Sequence, residues 1–172
     1  IKDSAITTEC VPTEGIETPA DSEIATRAAA IIAEVDAEYG TVFAKTEVTL
    51  NGEKAPGNRT EETNLGDLIT DALVWKATQE GEAVDAAITN GGGIRATIEA
   101  GDITKKDINT VLPFGNTLSI IKITGSELLE VLEASTFCTP EAIGGFPQVS
   151  GIVFTVDTTK AYDAGEEYPG TT

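Results

Sequence analysis

Apolar residues first recur at helical spacing from Asp21 or Ser22 onward, at Ile24, Ala28, Ile31, Ile32, Val35 and Tyr39. That spacing predicts a long amphipathic helix stopped at Gly40. Thr41 to Leu50 alternates instead, with Val42, Ala44, Thr46, Val48 and Leu50 on one face, which is the period of a strand. A polar loop follows from Asn51 to Glu61 and contains Gly52, Pro56, Gly57 and Arg59. Leu65, Leu68, Ile69, Ala72, Leu73 and Lys76 then repeat at three and four, so a second helix is predicted from a cap at Thr60 or Thr63 to about Gly81. Ala86 to Thr89 reads as a short buried strand, and Thr104 is placed to cap a helical turn through Asn109. Leu112-Pro113-Phe114-Gly115-Asn116 forces a tight loop before an expected strand over Leu118 to Ile123. Thr124 and Glu127 match a capping box that opens a helix with Leu128, Leu129, Val131 and Leu132. Pro140 to Gly151 reads as a Gly-Pro-rich loop, Ile152 to Val156 as a strand, and Thr158 to Thr172 as a polar tail.

Helices and strands alternate without a repeat of about 20–50 residues. The expected architecture is α/β or α+β, with strands near the core and helices packed on them. Residues 1–21, rich in Thr, Glu and Pro, read as an interdomain linker, and 22–172 as one domain. The helix beginning at residue 22 suits a connector between domains as well as a plain surface helix. The chain starts at Ile1 and has no Met, so it is expected to be a processed or excised piece of something longer.

Composition narrows the chemistry. With 29 acidic and 11 basic residues the net charge is −18, which speaks against non-specific binding to nucleic acid or anionic membranes. No stretch has the ~20 apolar residues of a membrane helix. Histidine is absent, so histidine-based triads and histidine acid–base catalysis are excluded within these 172 residues. The chain alone is not expected to be an enzyme. Cys10 and Cys138 lie far apart with no CxxC spacing, which removes zinc and redox motifs. They either pair across the fold in an oxidising compartment or remain two inert thiols.

The strongest local signal is Asn90-Gly91-Gly92-Gly93-Ile94-Arg95 at the end of the short strand. Three glycines together point to unusual backbone angles or to close approach of the backbone to something else. The loop matches neither the P-loop nor the dinucleotide fingerprint, and a crowded turn would explain it as well as a ligand would. Arg95 tips the choice towards a ligand, because its donor fork suits phosphate or ribose oxygens. Phe114, held between Pro113 and Gly115, could stack on a planar base or anchor its loop in the core. Arg59, taken alone, is a loop arginine.

Four segments taken together resemble one family. They are Glu62-Thr63-Asn64-Leu65-Gly66-Asp67-Leu68-Ile69-Thr70-Asp71-Ala72, the Asn90-to-Ala96 loop, Asp107 to Asn116 with its Val-Leu-Pro-Phe-Gly-Asn ending, and Phe146-Pro147-Gln148-Val149-Ser150-Gly151. In this order and spacing they resemble the C-terminal domain of the 5′-nucleotidase family, which includes 2′,3′-cyclic-nucleotide phosphodiesterases and UDP-sugar hydrolases. The resemblance covers about residues 22 to 157. It implies a mixed sheet with flanking helices, and a substrate-recognition role beside an N-terminal metallophosphatase domain that holds two divalent metal ions. No cofactor is expected in this chain. By the same resemblance Arg59 and Arg95 would fork onto ribose hydroxyls and phosphate, Asn90 would hydrogen-bond the base, and Phe114 would stack on it. The implied partners are a nucleoside or nucleotide and the rest of the parent protein, in an extracellular, cell-surface or periplasmic location.

The family's second stacking aromatic, in an N-x-[FY]-x-x-x-G-G-D-G-like stretch, has no counterpart before Thr172. The chain is therefore expected to stop inside the domain, with a C-terminal segment of the parent completing it. The alternative function is a non-catalytic surface interaction or adhesion module that keeps the fold without using the pocket.

Overall fold

The computed structural model describes residues 22–160 and 162, and the chain divides into two units, 1–38 and 39–172. In the first, α1 spans Ser22–Tyr39 up to its boundary with the second unit, and Ile24, Ile31 and Ile32 along its apolar stripe are exposed. The second unit carries every other element.

There, β1 (Val42–Thr46) pairs antiparallel with β3 (Gly101–Thr104), placing Lys45 opposite Asp102, and the two side chains form an exposed ion pair at 2.9 Å. Leu50 continues the ribbon through an isolated bridge to Ile98, with Leu50 N donating to Ile98 O at 2.8 Å. A second antiparallel ribbon joins β2 (Ala87–Asn90) to β4 (Pro147–Ser150), with Asn90 opposite Pro147. α2 (Asn64–Gln79) packs across this second ribbon. α3 (Lys105–Val111) follows β3 directly, and α4 (Gly125–Thr136) comes later. The fold is thus a mixed α/β arrangement of helices on small antiparallel ribbons.

Capping residues mark the helix starts. Thr63 accepts from Gly66 N at the head of α2, and Thr104 with Asp107 and Thr124 with Glu127 close reciprocal capping boxes on α3 and α4. Leu50, Leu65, Ile94, Ile98, Ile103 and Val111 form the buried core. Leu65 is 2% exposed; burying a leucine this fully contributes roughly 1.5–3 kcal/mol. The core ties the first ribbon to the head of α2, the end of α3 and the residue before Arg95.

Two strand expectations fail, and one strand forms where a loop is expected. Leu118–Ile123 and Ile152–Val156 have no ladder partner among the described residues, and Ile121 and Val153 are exposed. Alternating apolar residues favour a strand, but a strand also needs a neighbour for its N–H and C=O groups, and the local pattern carries no information about that. Conversely, β4 falls inside the expected Gly-Pro-rich loop. Its proline occupies the first position, where a missing N–H is tolerated.

Candidate functional site

The Arg59 loop is held by a buried polar network. After Glu53 the chain kinks through Lys54–Asn58 and closes on itself, with Asn58 N donating to Glu53 O at 2.9 Å and Arg59 N to Lys54 O at 3.0 Å. Asn58, 1% exposed, accepts a 2.6 Å bond from the Thr63 hydroxyl at its Oδ1. Gln148, also 1% exposed, reaches in from β4. Its Oε1 accepts from Thr63 N at 3.2 Å, while Nε2 donates to Asn58 O at 3.2 Å and Glu61 O at 2.8 Å. Gly66 makes room for this amide, since a Cβ there would stand 2.0 Å from Gln148 Oε1. Asn64 bridges outward, accepting from Asn51 N at 2.8 Å and donating to Thr49 O at 2.9 Å. The Thr63-Asn64-Leu65-Gly66 and Pro147-Gln148 segments, far apart in sequence, are two halves of one clasp. Arg59 sits within it, half-buried, with its Nε buried and lacking a hydrogen-bond partner among the described residues.

The glycine loop lies against this clasp. Gly91 N donates to Phe146 O at 2.8 Å and Gly92 N to Gly144 O at 2.9 Å, while Asn90 Nδ2 reaches the same Gly144 O at 3.3 Å. A Cβ on Gly91 would lie 1.7 Å from Asn58 O, and one on Gly92 would lie 2.7 Å from Gly144 O. The first two glycines therefore admit neighbouring backbone of the same chain. Of the two explanations that the sequence leaves open, the close approach at these two positions is to the protein's own backbone. Ile143 N donates to Arg59 O at 3.1 Å, so the 143–146 segment touches both the Arg59 loop and the glycine loop.

Arg95 follows on the exposed side, where its Nη1 donates to Gly92 O at 3.1 Å. Its N–H donates to Val111 O at 2.9 Å, fixing it to the end of α3. From there the chain turns through Leu112 and Pro113 to Phe114, and Gly115 adopts a φ of 62°, a value that glycine accepts without strain. The turn leaves the Phe114 ring 59% exposed, with the Arg95 guanidinium 5.8 Å from its centroid. Hydrogen bonds and ring contact thus link all four candidates, from Arg59 through Ile143–Gly144 to Asn90 and Gly92, then to Arg95 and Phe114. Sequence reasoning missed Asn58, Thr63 and Gln148 as members of this assembly. The only signal for them was their place in or beside the four family motifs.

Near the clasp, Asp67 in the first turn of α2 has its pKa raised, by burial first and then by the neighbouring charges of Glu62 and Asp71. No group of three or more His, Cys, Asp or Glu residues among those described could hold a metal ion, so this donor set does not fit a dinuclear metal centre. Cys138 is half-buried and has no disulfide partner among the described residues, and Cys10 lies outside them. A separate cavity of about 450 Å³ lies between α4 and the 154–162 segment, lined by Phe137, Phe154 and Tyr162 among others. It contains none of the four candidates. No helix among the described residues is long and apolar enough to cross a membrane.

The family model for the 5′-nucleotidase C-terminal domain matches residues 42–165, most of the chain. This chain belongs to that family. Over 110 residues it is 46% identical to the trifunctional nucleotide phosphoesterase protein YfkN of Bacillus subtilis, covering 64% of this chain and 7% of that protein. It is 38% identical over 125 residues to a snake venom 5′-nucleotidase of Crotalus adamanteus, covering 67% and 21%. The crystal structure of a 5′-nucleotidase precursor from Thermus thermophilus superposes with a TM-score of 0.67 at 40% identity, over 76% of this chain and 25% of that one. This 5′-nucleotidase C-terminal domain thus spans a quarter or less of the length of these relatives.

Proposed function

We propose that this domain recognises a nucleoside or nucleotide for a secreted, metal-dependent 5′-nucleotidase-type phosphohydrolase. Arg59, Asn90, Arg95 and Phe114 would form the substrate-binding set. The observation that carries the reading is the Arg95–Phe114 pair, a rigid fork of donors for anionic or hydroxyl oxygens set against an exposed aromatic face. Arg59 supports it, because its buried Nε has no hydrogen-bond partner among the described residues and would gain from a ligand oxygen that reached it. Asn90 keeps Oδ1 as an acceptor for a base amino group while its Nδ2 is held by Gly144.

Phosphate-ester cleavage would belong to a separate metallophosphatase domain of the parent carrying two divalent metal ions, and a further C-terminal segment would add a second stacking face to binding that Arg59, Asn90, Arg95 and Phe114 already provide. The names of the relatives support nucleotide substrates, and the venom and precursor proteins among them support a location outside the cytoplasm.

The test is an NMR titration of the 172-residue chain with adenosine and with AMP. Saturable shifts centred on Arg59, Asn90, Arg95 and Phe114, and lost in Asn90→Ala, are the expected result. A folded chain whose spectrum ignores both ligands would overturn the reading, and the adhesion-module alternative would then gain.

A further inference from the structure

We infer that Gln148 is a positioning residue for nucleotide recognition, acting through Arg59, and this rests on the binding role proposed above. The amide makes its hydrogen bonds to main chain and none to a candidate side chain. It grips the main chain on both sides of Arg59 instead, donating to the carbonyl of Asn58 just before it and to that of Glu61 two residues after it. Its Oε1 accepts from Thr63 N, so the grip is referred to the first turn of α2. Arg59's own peptide is fixed in the same place, by Lys54 O on its N–H and by Ile143 N on its carbonyl.

An irregular loop loses backbone conformational entropy when it is ordered. Here one fully buried amide supplies three bonds to the stretch from Asn58 to Thr63. The side chain is committed to this single task, for both polar ends of the amide are used and it fills the space that a Cβ on Gly66 would occupy. The same carbonyl of Asn58 that Gln148 holds faces Gly91, so the amide also sets the spacing between the Arg59 loop and the glycine loop. Only a glutamine provides one acceptor and two donors in this geometry. A glutamate of the same shape would keep the bond from Thr63 N but turn both donor contacts into repulsions between oxygens.

Three variants of the full chain separate this role from ordinary packing. Gln148→Glu removes the two bonds to the Arg59 stretch, and Gly66→Ala pushes the amide aside with a methyl that itself favours the helix. Thr136→Val removes a buried hydroxyl bond in α4, away from the site, and serves as the stability control. Amide hydrogen exchange is followed in the ligand-free chain, and adenosine affinity is measured at the same pH.

Exchange at Asn58 to Glu61 is expected to accelerate by about tenfold or more in both Gln148→Glu and Gly66→Ala, without matching acceleration in α4. Adenosine affinity is expected to fall about tenfold in both, and to be unchanged in Thr136→Val. Unchanged exchange at 58–61, or loosened exchange with full affinity, would overturn the inference while leaving the proposed binding function intact. If Gln148→Glu does not fold, Gly66→Ala alone distinguishes these outcomes. Failure of the unmodified chain to bind adenosine would overturn both, and would be visible before any variant is compared.

Discussion

The Arg95 guanidinium lies over the Phe114 ring, 5.8 Å from its centroid, although the two residues come from different loops joined through the end of α3. A cation over an aromatic face at an exposed site contributes about 0.5–1 kcal/mol. The pair holds a fork of hydrogen-bond donors beside an exposed aromatic face. Arg95→Ala and Phe114→Ala are each expected to weaken adenosine binding by about 1–3 kcal/mol. The double variant should lose less than the sum, with a coupling of at least about 0.5 kcal/mol by calorimetric titration. Strict additivity would show that the two side chains act independently.

The three consecutive glycines are expected to differ sharply under substitution. Gly91→Ala drives a methyl into Asn58 O and should destabilise the fold by about 1–3 kcal/mol or more in urea denaturation. Gly93→Ala meets only Asn90 Oδ1 at 3.4 Å and should cost far less. Equal costs at both positions would contradict the close approach of the two loops.

The capping box on α3 predicts a specific acid response. The Thr104 hydroxyl and N–H both bond Asp107 and hold its carboxyl below the ordinary value of 3.8. A depressed carboxylate contributes stability that is complete above the unfolded value and is lost as pH falls through the lower native one. Thr104→Ala should cost about 1 kcal/mol at neutral pH. Asp107→Asn should flatten the acid limb of the stability profile below pH 3.8, as read by thermal melts across that range.

Asp67 should respond with the opposite sign. Burial, with Glu62 and Asp71 nearby, raises its native value above 3.8, so the folded state takes up a proton before the unfolded chain does. Its contribution therefore improves as pH falls from above the raised value towards 3.8, and is weakest at neutral pH. Asp67→Asn is expected to be no less stable than the parent at pH 7 and to lose this component. A clear loss of stability at pH 7 would mean that the helix-start charge outweighs the repulsion.

Elements whose causes lie within a few residues were legible in the sequence. Thr104 and Thr124 cap their helices where the pattern placed them, and Thr63 is the one of two offered threonines that caps α2, because a cap is made by a side chain bonding its own next turn. The strand running into Asn90 was also readable, as was the tight turn around Phe114, since proline and glycine fix the angles on either side; that the ring is exposed rather than anchored in the core was not. The family, too, was carried by four short motifs. Tertiary structure decided what long-range pairing controls. Leu118–Ile123 and Ile152–Val156 are apolar enough for strands yet have no ladder among the described residues, while Pro147–Ser150 becomes a strand because Ala87–Asn90 lies beside it. The same holds for the site. Nothing local in Gln148 foretells that its amide closes around the carbonyls flanking Arg59, and nothing in Gly91 foretells that its missing side chain makes way for Asn58. A hydrogen bond across some ninety positions depends on where the whole chain folds, and only the assembled backbone supplies that.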